Sequence, residues 1–137
     1  MAGRLQLENV VKTYGIIKAL DSVTLDIEPG LTMAFLGMNG SGKTTLLRIL
    51  AGLEVPNEGS VRFNSVKMNP QKLRQIATLV FQKTVMFSTS VSHNMGFGLG
   101  VRGFDKKEID KRVSEVLASV GLSGFEKRRA KRLSGGE

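Results

Sequence analysis

The sequence predicts an α/β fold centred on a buried strand, a glycine-rich loop and a helix, with antiparallel strands before them and helices after. Three observations predict it. Leu31-Thr32-Met33-Ala34-Phe35-Leu36 is a mostly apolar run of the kind a buried parallel strand shows. Gly37-Met38-Asn39-Gly40-Ser41-Gly42-Lys43-Thr44-Thr45 follows at once, and its first Gly, four further residues and Gly-Lys-Thr have the spacing of a phosphate-binding P-loop. From Lys43 to Leu50 there is no internal Gly or Pro, and Leu46, Leu47 and Leu50 are spaced for one helical face.

Each part of the loop has a physical reason. Glycines at 37, 40 and 42 let the backbone take positive φ and approach a phosphate with no Cβ in the way. Successive N–H groups then form an anion nest, and the following helix adds the positive end of its dipole. Lys43 reaches the β- and γ-phosphates as a point charge, and the Thr44 hydroxyl is placed to ligate Mg²⁺. A glycine-rich turn that merely ends a strand would explain the glycines. It would not explain Lys-Thr between a strand and a helix.

In chain order, residues 4–12 alternate at Leu5, Leu7 and Val10 for a half-buried strand, and Thr13-Tyr14-Gly15 reads as a turn. A second strand runs from about Ala19 to Ile27, with Leu20, Val23, Leu25 and Ile27 apolar. Pro29-Gly30 breaks it. Beyond the P-loop helix, Gly52, Pro56, Asn57 and Gly59 mark a loop, Ser60 to Phe63 a short strand, and Asn69-Pro70 a turn before a brief helix at Gln71 to Gln75. Ile76 to Phe81 is a second buried-strand candidate that runs into Gln82. Val91, Met95 and Leu99 make a helical stripe interrupted by Gly96 and Gly98. Asp105 to Val120 is the clearest helix: Asp105 N-caps it, Glu108 lies three residues on, and Ile109, Val113, Val116, Leu117 and Val120 form its apolar face. Gly121 stands where a C-cap belongs.

With 137 residues, the chain is one domain's worth. It has no cysteine, which excludes disulfides and thiolate metal sites and fits a reducing compartment. No apolar run approaches the roughly 20 residues that span a bilayer, and the chain is expected to be soluble by itself. The net charge of +8 invites a nucleic-acid or anionic-membrane reading. Much of that excess is local, at Lys127, Arg128, Arg129, Lys131 and Arg132, without the interleaved aromatics of a stacking platform. No specific nucleic acid is expected as a partner.

The last five residues, Leu133-Ser134-Gly135-Gly136-Glu137, would alone read as a loop. Placed after a P-loop and Phe81-Gln82, they resemble the signature sequence of the ATP-binding cassette (ABC) ATPases. Four elements of that family's pattern stand in its order. Tyr14 resembles the aromatic that stacks on adenine, Gly37 to Thr45 the Walker A loop, Gln82 the Q-loop glutamine, and Leu133 to Glu137 the LSGGQ signature. The resemblance implies a P-loop NTPase core with an N-terminal antiparallel β subdomain (1–83) and a helical subdomain (84–137). By position alone, Tyr14 reads equally as a half-buried turn residue, and Gln82 as an ordinary strand-end glutamine.

The resemblance further implies ATP and Mg²⁺ as cofactors, with Thr44 and Gln82 as metal ligands and Gln82 as a catalytic residue. Ser134 with the N–H groups of Gly135 and Gly136 would form a second nest, facing the γ-phosphate held by a second copy in a head-to-tail dimer. Glu137 replaces the common Gln, and Met38 and Thr84 stand where Pro is frequent. Nothing here corresponds to Walker B, its glutamate, the D-loop or the switch histidine. The expectation is the N-terminal part of such a domain, unable to turn over ATP unaided. His93, which precedes the signature, is read as a surface residue.

The implied function is an energy-coupling subunit on the inner face of a cell membrane, docked on a separate transmembrane permease and working indirectly with a solute-binding protein. The docking surface would lie between Gln82 and Val120, with Phe87, Met95 and Phe97 as apolar anchors; the alternative for these residues is packing within the helical part. The stretch Phe81 to Phe87, with Val91, Asn94 and Arg102-Gly103, resembles prokaryotic oxyanion importers of tungstate or molybdate. Competing readings are a soluble ABC-type ATPase acting on nucleic acid or ribosomes, and a non-catalytic remnant.

Overall fold

Alternation along the first thirty residues makes a β-hairpin. β1 (Leu5–Tyr14) and β2 (Ile17–Ile27) pair antiparallel from Leu5↔Ile27 to Tyr14↔Ile17 across a two-residue turn. Gly15 takes the positive φ of 56° that this tight turn needs. Thr13 and Tyr14 therefore belong to the strand and not to the turn, since they pair with Lys18 and Ile17. The computed structural model describes residues 3–82 and 86–133. These fall in two units, Met1–Phe81 and Gln82–Glu137, each with a core of its own.

In the first unit, β1 also pairs with β3 (Glu58–Phe63), and β3 with β4 (Val66–Lys67), giving the antiparallel order β2-β1-β3-β4. The β1 ladder slips between Leu7 and Val10, where Asn9 takes φ 46° and donates its N–H to the Thr24 hydroxyl at 3.1 Å. The slip lets Leu7 and Val10 both enter the core, where Leu20 and Val61 join them. Against these residues pack Leu46, Ile49 and Leu50 of α1 (Lys43–Leu50) and Leu73 of α2 (Pro70–Ile76). Spacing of i, i+3 and i+4 selects Ile49 for the buried face and leaves Leu47 outside, contrary to the expected leucine set. Asn69 caps α2 by accepting the Lys72 N–H at 2.9 Å, and Pro70 occupies its first turn.

Neither apolar run expected as a buried strand is one. Ile76 closes α2, and residues 77–81 and 31–38 belong to no ladder. Leu31, Leu36 and Val80 are 65%, 92% and 84% exposed. A strand is made by neighbours that satisfy its N–H and C=O groups, and among the described residues no strand pairs with either run. Of Leu31 to Leu36, only Phe35 packs on the core.

In the second unit, α3 (Val91–Val101) starts at Ser90, whose hydroxyl accepts the His93 N–H at 3.2 Å. α4 (Lys106–Ser119) starts at Asp105, which accepts the Glu108 N–H at 2.9 Å, as expected. Gly96 marks a close approach, because a Cβ there would lie 2.5 Å from the Ile109 Cγ2. This explains a glycine inside a helix. Val91, Gly96, Val113, Leu117 and Ala130 are buried, whereas Met95, Val116 and Val120 are exposed and drop out of the expected apolar faces. The basic stretch is partly structural. Val91 and Ser92 donate their N–H groups to the carbonyls of Arg128 (2.9 Å) and Glu126 (3.0 Å), and the Arg128 guanidinium lies 3.6 Å from the Phe125 ring. Among the described residues, no helix is long and apolar enough to cross a membrane.

Candidate functional site

The glycine-rich loop enters α1 through two left-handed residues, Gly40 (φ 83°) and Gly42 (φ 85°). Gly42 is required twice, since a Cβ there would also meet the Ala19 carbonyl of β2 at 2.3 Å. Gly42 occupies the N-cap position and no side chain caps the helix, so the first N–H groups of α1 keep no side-chain acceptor. Lys43 folds back over the loop. Its ammonium donates to the carbonyls of Gly37 at 2.8 Å and Met38 at 2.7 Å, and to the Ser41 hydroxyl at 3.1 Å. One cation and the uncapped positive end of a helix therefore meet at one place. That combination suits a polyanion.

Tyr14 ends β1 and is 43% exposed. Its hydroxyl donates to the Glu54 carboxylate, and the Lys12 ammonium lies 5.2 Å from its ring centroid and 3.7 Å from Glu54. Burial, then the hydrogen bond to Glu54, pushes the phenol above its ordinary value; the Thr45 hydroxyl and Arg48 act in the opposite sense. Tyr14 is thus set beside the first turns of the P-loop helix. Sequence reading passed over Lys12 and Glu54. The i, i+2 spacing of Lys12 and Tyr14 was the available signal for the first. Glu54, forty residues away, carried none.

Thr44 is exposed in the first turn of α1, and Asn39 and Ser41 are exposed in the loop. Gln82 is exposed in a bend at the first position of the second unit. Ser134, Gly135, Gly136 and Glu137 lie outside the described residues, as does Thr84. Of the signature only Leu133 is described, packed at the edge of the second core. His93 is exposed, as expected. Phe87 and Phe97 lean on one another with ring centroids 4.8 Å apart, yet they and Met95 stay partly exposed. Among the described residues there is no group of three His, Cys, Asp or Glu side chains that would hold a metal.

The ABC transporter family matches residues 20–137. The chain belongs to that family. Curated relatives of this ABC protein include an Fe(3+) ions import ATP-binding protein, FbpC, of Escherichia coli O157:H7, 38% identical over 135 residues, with 97% of this chain and 39% of the relative covered. A spermidine/putrescine import ATP-binding protein, PotA, of Rubrobacter xylanophilus is 43% identical over 136 residues, with 97% of this chain and 36% of the relative covered. The chain spans well under half the length of these relatives.

Among solved structures, a dimeric post-hydrolysis state of an ATP-binding cassette bound to ADP and Pi aligns with TM-score 0.81 and 30% identity, over 96% of this chain and 64% of that one. The cbiO1 protein of Clostridium perfringens, part of the ABC transporter complex cbiONQ, aligns with TM-score 0.81 and 29% identity, over 99% of this chain and 57% of that one. The fold is that of a P-loop ABC ATPase, present here as part of the domain.

Proposed function

We propose that this ABC chain is the nucleotide-binding part of an importer's energy-coupling ATPase, which binds ATP and couples its hydrolysis to solute uptake through a separate transmembrane permease. The observation that carries the reading is the Lys43 ammonium folded over the glycine-rich loop at a helix start with no side-chain cap. In the proposed complex, Lys43 exchanges its carbonyl partners for the β- and γ-phosphates, and the N–H groups from Gly37 through Thr45 cradle them. The Tyr14 ring stacks on adenine.

Thr44 and Gln82 are assigned to Mg²⁺ by the chemistry of their side chains. The Thr44 hydroxyl and the Gln82 carboxamide are hard oxygen ligands, and Mg²⁺ is held by few protein groups together with phosphates and water. When bound, it neutralises charge on the phosphates. Gln82 is assigned the further role of orienting a water. Ser134, Gly135 and Gly136 are assigned to the γ-phosphate of a second copy in a head-to-tail dimer at the cytoplasmic face, with 1–83 as the nucleotide part and 84–137 as the helical part. Phe87, Met95 and Phe97 are the proposed apolar anchors on the permease side.

An importer role is supported by the two relatives, both named for import. Their names specify iron and polyamines, so the oxyanion reading rests only on the resemblance of Phe81 to Phe87 with Val91, Asn94 and Arg102-Gly103, and the solute is assigned to the partner. Calorimetric titration of MgATP into wild type and Lys43→Ala tests the core of the proposal. The variant should bind at least about tenfold more weakly, because a charge-assisted contact is worth roughly 1.5–3 kcal/mol. Equal affinity contradicts the assignment.

A further inference from the structure

The cluster around Tyr14 is more than a ring at the end of a strand. The Lys12 and Glu54 side chains are only 15% and 19% exposed, unusual cover for charged groups, and both turn toward the tyrosine. Glu54 accepts from the phenol, while Lys12 sits over the ring, 3.7 Å from Glu54, and donates to the Val55 carbonyl at 2.9 Å. Gly52 sets up this placement. At φ 67° it turns the chain out of α1 toward Glu54, and its carbonyl accepts from Arg74 at 2.7 Å. A tyrosine that is 43% exposed would otherwise rotate about χ1 and χ2.

We propose that Glu54 and Lys12 are positioning residues for the Tyr14 ring: Glu54 fixes its angle through the hydroxyl, and Lys12 covers one face, so an adenine base stacks on the opposite face. The proposal rests on the reading of Tyr14 as an adenine-stacking residue and adds two residues and a face to it. A ring held in place before the ligand arrives loses less freedom on binding. A cation on the far face also draws π density from the ring, which favours stacking of an electron-rich purine on the open one.

The chain has one tyrosine and no tryptophan, so tyrosinate absorbance and intrinsic emission read Tyr14 alone. In wild type the phenol should titrate above its ordinary value, through burial first and the Glu54 hydrogen bond second, with Glu54, Lys12, Arg48 and Thr45 as the groups that face it; in Glu54→Leu it should fall only part of the way back, because the burial remains. Calorimetry with MgATP should show Glu54→Leu and Tyr14→Phe each about fivefold weaker than wild type, the loss of roughly one hydrogen bond. The double variant should be no weaker than either, and Glu54→Gln, which keeps an acceptor oxygen, should recover most of the loss. Lys12→Met should weaken binding by a smaller factor. If Tyr14→Ala is weakened while Glu54→Leu binds as wild type, the proposal is overturned and stacking survives. If Tyr14→Ala also binds as wild type, stacking itself fails. Should Glu54→Leu lose its far-UV circular dichroism, Tyr14→Phe decides: affinity equal to wild type overturns the proposal.

Discussion

β1, in which apolar and polar residues alternate, and the mostly apolar run Leu31 to Leu36 are both of strand length in the same unit, and they end in opposite states. β1 has a partner on each side, and its Leu7 and Val10 are 1% and 0% exposed. Leu31 to Leu36 has no ladder partner among the described residues and leaves Leu36 92% exposed. The more apolar of the two is the one without ladder neighbours among the described residues. Apolar content tells where a chain prefers to be buried, but pairing decides whether it becomes a strand. The P-loop between such a run and α1 keeps its shape through Gly42 against Ala19 and through Leu46, Ile49 and Leu50 in the core.

The largest effect expected from this contrast is in core truncation. Leu7→Ala or Ile49→Ala should cost about 2–5 kcal/mol in urea unfolding, from lost burial plus a cavity. Leu36→Ala should stay within about 0.5 kcal/mol. Comparable losses at Leu7 and Leu36 would break the distinction between the two regions.

A smaller effect separates two glycines of one loop. Gly42→Ala meets both a positive φ and the Ala19 carbonyl, whereas Gly40→Ala meets the φ alone, with nothing within 4 Å of its Cβ. Gly40→Ala should cost about 1 kcal/mol in the same unfolding assay, and Gly42→Ala distinctly more. Equal costs would mean that the contact with β2 does not anchor the loop.

The smallest is a pH effect on the clamps that hold β1 to its neighbours. Hydrogen bonds from Arg4 to Asp26 on β2, and from Arg62 on β3 to Glu8, hold both carboxyls below their ordinary values. A depressed carboxylate contributes stability above its unfolded value, and that contribution is lost as pH falls through the folded one. Wild type should therefore lose slightly more stability than Asp26→Asn between about pH 5 and pH 2. These groups are exposed, so the difference should be small and should shrink further with added salt. A variant that loses more than wild type on acidification would contradict the assigned sign.

How legible the molecule was in its sequence follows the same line. Features written within a few residues were readable: the P-loop spacing, Asp105 as a cap with Glu108 three residues on, the hairpin strands, and the brief helix after Asn69-Pro70. Features set by distant partners were not. The slip at Asn9 depends on Thr24, the tolerance of Gly96 within α3 depends on Ile109, and the grip on Tyr14 depends on Glu54. The two misread strands belong to this second group, because the missing information was a neighbour. For the candidate site, the glycine-rich loop with Lys43 and Thr44 is local and was legible in its spacing, whereas Tyr14 was legible only as an aromatic in a turn, and the structure puts it at the end of β1.

The central claim is that the backbone from Gly37 to Thr45 is a phosphate cradle already shaped by its own packing. Amide hydrogen exchange on the 137-residue chain, with and without MgATP, tests it residue by residue. The account predicts slow exchange at Leu7 and Val10 and fast exchange across 31–36 in both states, with protection added by nucleotide at the amides of Gly40 to Thr45. Nucleotide-induced protection that leaves those six amides unchanged would contradict it.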